Sequence, residues 1–238
     1  EAERALQSLG EGQQKNVAAL RLALDVARAQ ARWEDAGDLV ARLVQSKGMS
    51  PEQARPVLRE VRIGALRAAA GDSAKQLAVW RAFGKEDLAD AALVHGAVRV
   101  LAASGQAAVA RRAVERLLEA NWDTALARDY VLCSGTGDEA VDALACAERW
   151  LAARPDDAGL LYSLGRQCMA AQIWGKAQTY LEQSLRIAPA ADAHLALGEL
   201  FEQLGRPADA AVQFRTAAQL GLAHPMGLPK RNEVVSVA

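Results

Sequence analysis

Between Leu161 and Leu220 one arrangement of apolar and small residues is written twice. The first copy runs Leu161-Tyr-Ser-Leu-Gly165, then Ala177, Leu181, Ser184 and Pro189; the second runs His194-Leu-Ala-Leu-Gly198, then Phe201, Ala210, Phe214 and Ala217. In both, a small residue follows the Leu-Gly pair by twelve positions and a large apolar residue follows four further on. Apolar residues at spacings of three and four predict amphipathic helices. The fixed glycine and alanine predict that two such helices cross closely, with Leu164, Leu181 and Phe214 filling the space around the crossing.

This is the tetratricopeptide (TPR) pattern, a helix–turn–helix unit of about 34 residues. The same register continues upstream. Leu20 to Leu24 followed by Trp33 and Ala36 matches the later Trp174 and Ala177, giving a first hairpin over 17–50. Further hairpins follow over 57–90, 91–123, 124–157, 158–190 and 191–221. Starts at 57, 91, 124, 158 and 191 lie 33 or 34 residues apart. Gly64 takes the small position of the second hairpin, where Trp80 and Phe83 pack from its second helix. In the third, Gly105 makes the turn and Ala110, Val114 and Leu117 point inward. The fourth has a short first helix, a turn at 134–138, and Ala143, Trp150 and Pro155 in the expected places. Ser46 to Gln53 breaks the pattern as a loop, with Pro51 after Ser50 announcing the next helix. Residues 1–16 read as the end of a helix and a turn. Leu220-Gly221 reads as a helix end, and 222–238 as a tail. The predicted fold is therefore all-α, a TPR-type α-solenoid of about six hairpins forming a right-handed superhelix with a concave side.

Composition agrees with helix and narrows function. The chain has 238 residues with a formal charge of −1 and 24% charged residues, so no basic excess points to nucleic acid. Cys133, Cys146 and Cys168 lack zinc or CxxC spacing and read as reduced thiols, Cys133 and Cys168 as small buried hydrophobes. The sequence shows no signal peptide and no apolar run long enough to span a bilayer. It opens on Glu1, which reads as the edge of an excised segment. Nucleotide loops, dinucleotide fingerprints and nucleophile motifs are not found, so no catalytic residue and no metal ligand is assigned. The reading is a non-enzyme.

Binding residues are read from the first-helix positions that line a TPR groove. These include Arg21, Asp25 and Arg28; His95 and Arg99; Arg128; Tyr162, Arg166 and Met169; and Leu195, Glu199 and Glu202. Arg21, Arg28, His95, Arg99, Arg128, Tyr162 and Arg166 form the candidate site. Five arginines suit a carboxylate: a peptide C-terminus, an acidic segment or a porphyrin propionate. The same arginines also fit a purely structural role, covering helix surfaces with their long stems. His95 could ligate haem iron or simply pack, and Tyr162 could stack on a planar ligand or fill the seam between repeats. The five tryptophans fit core packing.

The run from Asn121-Trp-Asp-Thr to Tyr130, then Ala147-Glu-Arg-Trp150 through Pro155-Asp-Asp, Leu161-Tyr-Ser-Leu-Gly165 and Ile173-Trp-Gly-Lys-Ala177 through Leu185, resembles the HemY family. Trp80-Arg-Ala-Phe83 resembles it more loosely. HemY proteins are bacterial inner-membrane proteins associated with late haem biosynthesis, with two N-terminal membrane helices ahead of a TPR domain. The resemblance implies a soluble domain facing the cytoplasm, an anchor outside this segment, and haem-pathway enzymes as protein partners. It carries no catalytic motif. Flavin-dependent oxidases that share the HemY name need a dinucleotide-binding fold that this sequence does not supply. The expected function is a scaffold for haem-pathway enzymes without a cofactor of its own; the alternative is a haem or porphyrin carrier that uses the groove.

Overall fold

In the computed structural model residues 17–223 are described; the readings for 1–16 and for the tail beyond 223 lie outside them. The described residues contain thirteen α-helices and no strand. The fold is all-α and of TPR type. It divides into two compact units, Glu1–Gly135 and Thr136–Ala238. The division falls inside the stretch read as the fourth hairpin, at a turn where Gly135 and Gly137 both take positive φ.

The N-terminal unit opens with α1 (Val17–Ala29) and α2 (Trp33–Gln45), a hairpin over the expected range. Leu20, Leu24 and Ala27 of α1 meet Ala36, Val40 and Leu43 of α2 in one core, closed by Ala54 and Val61 of α3 (Pro51–Ala68). The start of α3 is six residues earlier than the sequence register gives. Its cause is local. The Ser50 hydroxyl accepts from the Gln53 backbone N–H at 3.3 Å while the Gln53 side chain accepts from the Ser50 N–H at 3.1 Å. That reciprocal box, with Pro51 at the first helical position, fixes the helix start. Pro56 is carried inside the helix.

The second helix of this hairpin is also not continuous. It forms α4 (Ser73–Arg81) and, after a break at Ala82 to Gly84, the short α5 (Lys85–Ala89). Trp80 and Phe83 are buried at the break, ring centroids 5.1 Å apart, as their packing role requires. α6 (Ala91–Ala103) follows, capped by Asp90, then a 3₁₀ turn over 107–110 and α7 (Arg111–Ala120). Ala110 and Val114 are buried as expected, but Leu118 rather than Leu117 is the fully buried leucine. The unit closes with α8 (Thr124–Asp129), six residues long, and a 3₁₀ turn over 130–133.

The C-terminal unit contains α9 (Asp138–Ala153) and two hairpins in the predicted register: α10 (Ala158–Ala170) with α11 (Trp174–Ile187), and α12 (Ala191–Gln203) with α13 (Pro207–Ala223). A Cβ added at Gly165 would stand 2.6 Å from Leu181 Cγ and 3.4 Å from the Ala177 carbonyl oxygen, so the glycine lies at the helix crossing. Gly198 meets the Phe214 ring in the same way. Cys168, Ala177 and Leu181 join Ala196, Leu197, Leu200, Phe201 and Ala210 in a core shared by both hairpins. The expected helix end at Gly221 is not realised: α13 runs through it to Ala223. No positive φ is found at Gly221, and a left-handed residue is what a glycine cap requires.

Candidate functional site

On the first-helix surface, basic side chains on one helix meet carboxylates about one repeat later. Arg28 of α1 forks onto Glu60 of α3 with distances of 3.1 and 2.5 Å. Arg59 of α3 reaches Asp90 at 2.6 Å, and within the same hairpin Arg62 reaches Asp87 of α5 at 3.2 Å. From α6, Arg99 grips Asp129 of α8 through Nε at 2.5 Å and Nη2 at 3.2 Å, while His95 Nε2 lies 2.8 Å from the same carboxylate. Within the C-terminal unit Arg166 of α10 donates to Glu199 of α12 at 2.6 Å. Asp90 has two tasks, since its other oxygen caps α6 by accepting from the Leu93 N–H.

This geometry changes what the candidate residues can offer a ligand. Arg28, Arg99 and Arg166 already hold protein carboxylates, and Arg21 donates to the Gly48 carbonyl at 2.7 Å, tying α1 to the loop before α3. Asp129 is the most demanding partner, because only 8% of it is exposed. A buried carboxylate needs charge and hydrogen bonds, and Arg99 with His95 supplies them. Arg128 is half-buried beside Asp129 on α8, and Tyr162 is half-buried on α10 against the C-terminal core. The structure joins His95 to Arg99 through one carboxylate. Arg128 lies in the N-terminal unit and Tyr162 and Arg166 in the C-terminal one.

Arg59 and Arg62 fall outside the groove positions of a hairpin that starts at 57, so the sequence register alone does not single them out. The signal that reveals the ladder is an acid 30–34 residues after a first-helix base, as at Arg28–Glu60, Arg59–Asp90, Arg99–Asp129 and Arg166–Glu199. An open cleft of about 690 Å³ beside Arg55, Arg59, Glu86, Asp87 and Asp90 carries both signs of charge and is no basic pocket.

Chemistry is sparse. Burial pushes the Cys133 thiol up to about 12 and the Cys168 thiol up to about 11, so neither is a thiolate near neutrality. Among the described residues no three His, Cys, Asp or Glu side chains converge as a metal site, and no helix is long and apolar enough to cross a membrane. His194 pairs with Gln213 at 2.7 Å.

The helices define a protein built from TPR-type hairpins. No family model matches the chain, and no curated protein matches it by sequence. Solved structures with similar folds include MamA AMB-1, at 19% identity and a TM-score of 0.41, covering 69% of this chain and 98% of that one. BtubC (BKLC) from P. vanneervenii is similar at 13% identity and a TM-score of 0.37, covering 100% of this chain and 94% of that one. The fold assignment stands on the helices and their glycine crossings.

Proposed function

We propose that this chain is a non-catalytic scaffold whose first-helix face holds protein segments, and that it serves late haem biosynthesis at the bacterial inner membrane. The observation that carries the scaffold reading is the set of stacked hairpins whose first helices turn side chains outward: Leu195, Glu199 and Glu202 on α12 are all exposed. The pathway, the haem-enzyme partners, the anchor outside this segment and the cytoplasmic orientation rest on the HemY-like residues at 121–130, 147–157, 161–165 and 173–185.

The carrier alternative is served less well by the same residues. The arginines meant for propionates hold Glu60, Asp129 and Glu199, and the Nε2 of His95 faces Asp129. Haem titration of the purified chain, followed at the Soret band, separates the two. The scaffold reading expects no saturable one-to-one shift in wild type or His95→Ala. A saturable shift lost in His95→Ala would overturn it in favour of the carrier.

A further inference from the structure

We infer that the first-helix face of the C-terminal unit docks an apolar segment carrying a basic residue, which deepens the scaffold reading and rests on it. Tyr162, Arg166 and Met169 form one row of α10, and Leu195, Glu199 and Glu202 form the equivalent row of α12, each at i, i+4 and i+7. The 2.6 Å contact between Arg166 and Glu199 fixes the rows side by side. One turn nearer the N-termini the rows present Tyr162 and Leu195. One turn nearer the C-termini they present Met169 and Glu202.

Leu195 is 45% exposed, whereas Leu197, Leu200 and Phe201 of the same helix are buried at 3%, 0% and 5%. An outward leucine at the Tyr162 end of the paired rows gains transfer free energy only when something covers it. Charge selects what covers it. Asp192, Glu199 and Glu202 stand on α12 against Arg166, and Arg166 is committed to Glu199. Glu202 is exposed and forms no ion pair among the described residues. The face is acidic, so a carboxylate-bearing segment is repelled and a lysine or arginine is attracted. Leu195 and Glu202 are seven helical steps apart, about 10 Å at 1.5 Å per residue. An extended segment covers that span in about three residues. The fitting partner therefore places a Lys or Arg about three positions from an apolar anchor. Its charge is opposite to that of the ligand the arginines suggest when read from sequence alone.

The test uses the full chain and two short, end-capped, fluorescein-labelled peptides. One carries Leu and Lys three residues apart in a Gly/Ser background, and its twin carries Glu in place of Lys. By fluorescence anisotropy the basic peptide should bind more tightly than its twin. Leu195→Ser should weaken it about tenfold, the loss expected when an apolar anchor goes uncovered, and Glu202→Lys should reverse the preference. Leu195→Ala, with an unchanged melt, guards against a folding artefact. Equal or tighter binding of the acidic twin, no binding of either peptide, or basic-peptide binding indifferent to both Leu195→Ser and Glu202→Lys would overturn the proposal. Photo-cross-linking of haem-pathway enzymes from exposed position 25 of α1 tests the scaffold reading separately. Cross-links there alongside a failed peptide test would remove this face and keep the scaffold.

Discussion

Gly165 and Gly64 occupy the same place in the repeat pattern and meet different neighbours. Gly165 faces Leu181 of its own hairpin, whereas a Cβ at Gly64 would stand 2.5–2.6 Å from the Trp33 ring of the preceding one. The need for a small residue was legible in sequence; which neighbour imposes it was not, because that depends on where α3 begins. Gly165→Val should destabilise by about 1–3 kcal/mol through overpacking, and an unchanged thermal melt would count against the assigned crossing. Turns give the opposite lesson. Gly105 and Gly205 take φ of 70° and 68° between first and second helices, and Ala31 and Gln172 take 55° and 58° in the corresponding turns. A side chain in that region costs about 1–2 kcal/mol. Gln172→Gly should therefore raise the melting temperature, a gain of about 1 kcal/mol once the extra freedom of glycine in the unfolded chain is deducted. Cys133 is equally specific. With its thiol pushed up to about 12, alkylation by iodoacetamide at pH 8 should be slow in the folded chain and fast in urea. Because its folded value lies above the unfolded one, the unfolded chain releases the proton first as pH rises. Stability from this group should fall between about pH 9 and pH 12.

At the scale of elements, caps decide the boundaries that periodicity leaves open. Asp72, Asp90, Asp123 and Asp157 each accept from a backbone N–H three residues on, at 2.7–3.1 Å. Ser50 does the same for α3, and Ser50→Ala should cost about 1 kcal/mol in chemical denaturation. An unchanged midpoint would mean that Pro51 alone sets the helix start. The close crossings within α10–α11 and α12–α13 were legible because Gly165, Ala177, Gly198 and Ala210 all occupy the pattern. The second helix of the second hairpin was not, since its break at Ala82 to Gly84 depends on Phe83 turning back against Trp80. Of the candidate site, positions were legible and partners were not. Arg99 and Arg166 occupy the expected surface, but an acid thirty residues away becomes a neighbour only once helices stack. Their worth also differs. Arg166→Ala removes a largely exposed bridge and should cost under about 1 kcal/mol. Arg99→Ala takes the main counter-charge from buried Asp129 and should cost about 1–3 kcal/mol, a contrast that paired melts would show or deny.

For the whole molecule, the two compact units imply that disturbance in one need not spread through the other. Leu197 is 3% exposed in the core of the last two hairpins. Leu197→Ala should cost about 2–5 kcal/mol. Hydrogen exchange should then accelerate across 158–223 while amides of 17–133 keep their protection; uniform acceleration would show a single cooperative block. The ion pairs have a consequence at the same scale. In the four pairs that join successive first helices among the described residues, Arg28–Glu60, Arg59–Asp90, Arg99–Asp129 and Arg166–Glu199, the base comes earlier in the chain and the acid later. Such polarity makes the hairpins interchangeable parts with matching ends. Between α1 and α8 a duplication or deletion of one whole period rejoins a base to an acid at the new seam, whereas a cut out of phase leaves the ends mismatched. The chain could therefore gain or lose length in evolution one hairpin at a time, without reinventing the joint.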